Sequence, residues 1–159
     1  MKSWSIAITS MVLSGCLLST GGCTSPDAGD SPAAVDALLV QRLEKFSEME
    51  EKGTPAEELA RLNYWPEALL TGEGVDKAAR GLDEVAAILK ATGSELGKCR
   101  HASYDPIVFA GRMASQVFEG TCEPPDGKPE QKFRVLYVWE KRGEEWKIIR
   151  EMFVSGALR

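Results

Sequence analysis

Residues 97–106 read GKCRHASYDP and hold the one histidine of the chain, His101, with Cys99 two places before it and Tyr104 and Asp105 just after. An imidazole beside a carboxylate can move a proton near neutral pH; an imidazole beside a thiolate can hold a metal or activate a nucleophile. Alternation along a strand would put Cys99, His101, Ser103 and Asp105 on one face and Tyr104 on the other. There is no second histidine, so a zinc site is not expected and no cofactor is assigned. A further candidate acid is Glu67, in YWPEALLTGEG. A catalytic reading therefore rests on Glu67, His101 and Asp105, against a purely structural role for the lone histidine. Side chains suited to lining a ligand pocket are Tyr64, Trp65, Tyr104, Tyr137 and Arg150, with core packing as the competing account of the aromatics.

The elements that must position these groups fall into two halves. SPAAVDALLVQRLEKFSEMEEKG has Ser-Pro at its start, apolar residues at Val35, Leu39, Leu43, Phe46 and Met49, and a capping Gly53, which predicts an amphipathic helix. TPAEELARLN predicts a short second helix with Thr54 as N-cap and Glu57 closing a capping box. After the extended YWPEALLTGEG, GLDEVAAILKATG predicts a third helix with Leu82, Val85, Ala86 and Leu89 on one face and Gly93 as its stop. CRHASYDPIVF, MASQVFEGTC, QKFRVLYVWEK and EWKIIREMFVS are rich in β-branched and aromatic residues and read as strands. Helices first and an antiparallel meander after predict an α+β domain whose sheet wraps the helices.

The N-terminus has its own character. Lys2 precedes the apolar run WSIAITSMVL, too short to cross a bilayer and suited to a signal peptide. LSGC, residues 13–16, then resembles the lipobox of bacterial lipoproteins, which implies a diacylated Cys16; Cys23, in TGGC, is the alternative. The expected layout is a signal peptide at 1–15, a flexible Ser/Gly/Pro-rich tether at 16–32 and a domain at 33–159. Leu17 after the lipidated position resembles the outer-membrane sorting pattern. The resemblance thus implies a lipid-anchored protein of the bacterial cell envelope, at the outer membrane and facing the periplasm. A net charge of −5 with no basic patch argues against a nucleic-acid partner.

Three helices, a short strand before the third, and a closing hairpin VLYVWEKRGEEWKIIREMFVSG resemble the NTF2-like superfamily, especially its SnoaL-like branch, over about residues 33–156. The resemblance implies a cone of three N-terminal helices packed in a curved antiparallel sheet, with a pocket open at one end. Some members are isomerases, cyclases or dehydratases and many are binding or assembly domains, so fold alone leaves function open. Aligned on Glu67-Ala68, the ketosteroid isomerase branch would have its general base where this chain has Gly72. The strand FRVLYVWE offers only Tyr137 where that branch places its second acid.

Counting back equally from a hairpin tip at Ala110 and Gly111 brings Cys99 opposite Cys122, His101 opposite Gly120 and Ser103 opposite Phe118. In an exported protein that pairing predicts a disulfide. Two functions follow as expectations: a membrane-tethered module that binds a small apolar ligand or serves in assembly, and, less favoured, an isomerase or lyase using a pocket carboxylate or His101 as base. Apolar residues on both faces of the last strands suggest a homodimer.

Overall fold

Ser31 opens the first helix: its hydroxyl accepts from the Ala34 amide at 3.2 Å, and Pro32 fills the first turn, where no amide donor is needed. The computed structural model describes residues 31–103, 105–125 and 127–156. The expected signal peptide, Cys16, Cys23 and Tyr104 lie outside the described residues. Helix α1 (Pro32–Glu51) buries Val35, Leu39, Leu43 and Phe46 along one stripe. Helix α2 (Ala56–Asn63) starts without the expected capping box, because the Thr54 amide donates back to Met49 and closes the end of α1 instead. Helix α3 (Gly81–Leu96) runs past Gly93 and stops at Gly97, whose φ of +69° is a conformation that ends a helix and favours glycine.

The strands are β1 (Tyr64–Gly72), β2 (Ala79–Arg80), β3 (Lys98–Ser103), β4 (Val108–Ala110), β5 (Met113–Glu123), β6 (Gln131–Arg142) and β7 (Glu145–Ser155). They form one curved sheet in the order β2-β1-β7-β6-β5-β3, with β4 also paired to β5. The sheet is mixed rather than antiparallel: β1 reaches its place before α3 and pairs with β7 in parallel, while every other pairing is antiparallel. The three helices pack on the inner face, and the core runs from the α1 stripe to Tyr64, Phe118, Tyr137, Trp139, Trp146 and Ile148.

Two irregularities decide which side chains face inward. The hairpin between β4 and β5 turns at Gly111-Arg112, one residue later than expected, since Ala110 pairs Met113. Cys99 nevertheless faces Cys122, because two extra residues in the segment between Ser103 and Val108 restore the register. In β7, Val138 pairs Arg150 but Trp139 pairs Ile148, which leaves Ile149 as an extra residue. Such a bulge flips the phase of a strand. Trp146 and Ile148 face in before it, Glu151 faces in after it, and Arg150 and Met152 are turned outward.

Candidate functional site

Between the inner face of the sheet and the three helices lies a cavity of about 310 Å³. Leu59 of α2, Ile88 and Leu89 of α3, and Phe133 and Val135 of β6 supply most of its apolar wall. Polar groups enter from Glu50 at the end of α1, His101 on β3, Tyr137 on β6 and Glu151 on β7, with Thr54, and Lys90 and Thr92 of α3, also on the lining.

Glu151 is the centre of this group. It pairs across the strands with Tyr137, is 7% exposed, and accepts a short hydrogen bond from the hydroxyl of Tyr64. Burial pushes its carboxyl up from 4.5 to about 7; the Tyr64 bond opposes the rise and the charge of Glu50 adds to it. Glu50 stands four residues beyond Phe46, on the extension of the buried stripe of α1, and burial pushes it too up to about 7. Tyr64 and Tyr137 are held well above the ordinary phenol value, by burial first and by the charges of Glu151 and Glu50 as well. The cavity therefore holds two carboxyl groups able to gain or lose a proton near neutral pH, beside two phenols that remain protonated.

His101 faces the same cavity. Its Nδ1 lies 2.6 Å from the Ser47 hydroxyl of α1, and its ring meets Phe133 edge-on at 5.4 Å. Gly120 is opposite it, as counted from the hairpin, and the space left by the missing side chain is filled by the Phe133 ring, which a Cβ at 120 would strike. Burial lowers the imidazole to about 4, so the ring is neutral at physiological pH.

The other residues singled out from sequence stand elsewhere. Glu67 is exposed and paired with Arg142, whose hydrogen bond holds its carboxyl below the usual range. Asp105 is exposed in the segment between β3 and β4. Tyr64 and Trp65 are neighbours on one strand and so face opposite ways. Tyr64 is buried behind Glu151, while Trp65 lies outside with Arg142 4.6 Å and Lys147 5.2 Å from its ring centre. Arg150 is on the outer face because of the bulge at Ile149. Cys99 and Cys122 form a disulfide, and Cys99 belongs to the cavity wall.

Glu50 and Glu151 were missed, although each left a trace. An acid four residues after Phe46 continues an apolar helix face, and the adjacent apolar pair Ile148-Ile149 breaks the alternation of β7 just before Glu151. Gly72, where the isomerase resemblance would place a base, has no room for one: a Cβ there would lie 2.5 Å from the Phe153 ring, itself part of the cavity wall. No cluster of three or more potential metal ligands occurs among the described residues.

No family model matches the chain, and no curated protein matches it. Solved structures do. An NTF2-like superfamily protein from Salmonella enterica superposes with a TM-score of 0.63 at 18% identity, covering 80% of this chain and 95% of that one. A ketosteroid isomerase-like protein from Erwinia carotovora gives 0.63 at 17% identity, covering 82% and 99%. An NTF-2 like protein of unknown function from Shewanella oneidensis gives 0.59 at 22% identity, covering 77% and 98%. At these identities the likeness establishes the fold: an α+β, NTF2-like cone.

Proposed function

We propose that this NTF2-like cone is the ligand-binding domain of a lipid-anchored protein of the bacterial cell envelope, and that its cavity takes a small, largely apolar molecule. The observation that carries the reading is the cavity itself. Its volume of about 310 Å³ lies at the small end of ligand pockets. Its wall is mostly aliphatic and aromatic, and polar groups including Glu50, His101, Tyr137 and Glu151 converge on it from separate elements, the pattern of a site that gains affinity from apolar burial and orientation from a few hydrogen bonds. In the envelope the domain would hang from acylated Cys16, or Cys23, at the outer membrane. A second copy would cover the outer sheet face, where Leu136, Met152 and Val154 are 37%, 51% and 37% exposed.

The test uses the exported protein in phosphatidylcholine nanodiscs with 4-phenylbutan-1-ol as probe and empty discs as blank. Saturable binding that Val135→Trp abolishes, in a variant with unchanged circular dichroism, is the expected result; no binding above the blank sinks the reading. Intact mass showing an unmodified N-terminus would remove the anchor from it. Sedimentation of a monomer would remove the second copy.

A second reading, an isomerase or lyase, draws on one specific observation: a buried carboxyl at about 7 with a phenol bonded to it is suited to taking a proton from carbon. Glu67 and Asp105 stand outside the cavity, so in that reading the base is Glu151, with neutral His101 nearby. Deuterium exchange into bound 4-phenylbutan-2-one separates the two. A binding domain leaves the exchange at the solvent rate; an enzyme accelerates it and loses the acceleration, roughly 10²–10⁴-fold, in Glu151→Gln.

A further inference from the structure

The cavity holds more hydrogen-bond acceptors than the chain itself answers. Glu151 is 7% exposed, and only its Oε2 is bonded. The Glu50 carboxylate, on the same cavity, is bonded by no described residue. Tyr137, 2% exposed and cross-strand from Glu151, presents a hydroxyl without a hydrogen-bond partner among the described residues. The one cation that lines the cavity, Lys90, is exposed and makes no ion pair among the described residues. Two carboxyl groups on one apolar cavity, paired by no cation among the described residues, either keep their protons or take a cationic donor between them.

We propose that the ligand is a small apolar amine, whose ammonium group is seated by Glu50 and Glu151 while its hydrocarbon body packs against Leu59, Ile88 and Phe133. This deepens the ligand-binding reading and rests on it. An ammonium brings donors and no acceptor, the complement of two carboxylates. The rings of Phe46 and Tyr137, on the same cavity, offer faces that attract a cation. A neutral alcohol brings one donor, and an anion would be repelled by both acids.

Binding is then coupled to protons. Burial holds both carboxyls near 7, whereas a seated cation favours their ionised forms, so binding at pH 7 releases protons and affinity rises from pH 6 to 8. The other titratable groups facing the pair are Tyr64 of β1, Lys90 of α3, His101 of β3 and Tyr137 of β6; α2 contributes Ala56 and Leu59 alone. The tyrosines are pushed up and His101 down to about 4, so the two carboxyls carry the change.

The experiment is calorimetry on the exported protein in phosphatidylcholine nanodiscs with three probes of one shape: 4-phenylbutylamine, 4-phenylbutan-1-ol and 4-phenylbutyrate. At pH 8 the amine should bind at least about tenfold more tightly than the alcohol, and the butyrate least. The preference should vanish in the Glu50→Gln, Glu151→Gln double variant, whose circular dichroism should be unchanged. On the unaltered protein at pH 7, repeats in buffers of different ionisation enthalpy should reveal proton release with the amine and none with the alcohol. Equal affinity for amine and alcohol overturns the proposal and leaves the binding reading standing. Amine preference without proton release, or surviving the double substitution, also overturns it. Failure of all three probes to bind takes the binding reading down as well.

Discussion

Two sets of carboxylates mark opposite ends of the electrostatic range in this molecule. At the hairpin end, Glu67 and Glu140 share Arg142, which also stacks on Trp65; Glu67 lies open to water and its pKa falls because Arg142 bonds it. Inside the cone, Glu50 and Glu151 have no cation beside them, and burial drives both upward to about 7. Identical side chains thus differ in whether they can hold a proton at neutral pH, and what differs is the solvent and charge around them. The family resemblance points to Glu67, but its exposure and its bond to Arg142 favour the ionised form.

The largest effect expected from testing this contrast concerns the cavity wall. Cys99 is part of that wall, and its bond to Cys122 closes a loop of sequence separation 23. Replacing both cysteines by serine should cost about 3 kcal/mol of stability in urea unfolding, as the chain-entropy model gives for a loop of that length. The pair at the hairpin end, joined only by side-chain contacts, should report no comparable loss.

Next comes the pH dependence of Glu151. Its folded-state pKa is raised above 4.5 to about 7, so the folded protein holds this proton more tightly than the unfolded chain does. The stability this contributes is present below pH 4.5, falls as pH rises, and is gone above 7. In Glu151→Gln that loss disappears. The variant should therefore gain on the parent between pH 4.5 and 8, by on the order of 2–3 kcal/mol, measured as unfolding free energy at each pH. A constant difference across that range would mean that Glu151 is not desolvated, and the contrast between the two ends would fail.

The smallest effect belongs to Glu67. Glu67→Gln removes an exposed ion pair and should leave stability, its pH profile and ligand binding unchanged within error. A clear loss of binding would show that the hairpin end reaches the cavity after all.

Much of the architecture was legible because it depends on short-range rules. The apolar stripe of α1, the Ser-Pro start at 31–32 and the runs of β-branched residues each state a local preference that tertiary packing did not override. The Cys99–Cys122 pairing is instructive: the hairpin turns one residue later than counted, and the irregular segment before Val108 compensates. The site was less legible. Tyr64 and Trp65 adjoin in the chain, yet a strand gives adjacent residues opposite faces, and position alone does not say which is inner.

From its residues alone the chain prescribes its helices and strands and the region of its disulfide, since each depends on composition, periodicity or a contiguous motif. The identity of the cavity's carboxylates was settled by long-range packing. A one-residue bulge at Ile149 sends Arg150 outward and Glu151 inward, and the docking of α1 against β3 brings Glu50 and His101 to one space. The pKa of a side chain depends on what lies within a few ångströms in three dimensions, and those neighbours come from four separate elements of the fold.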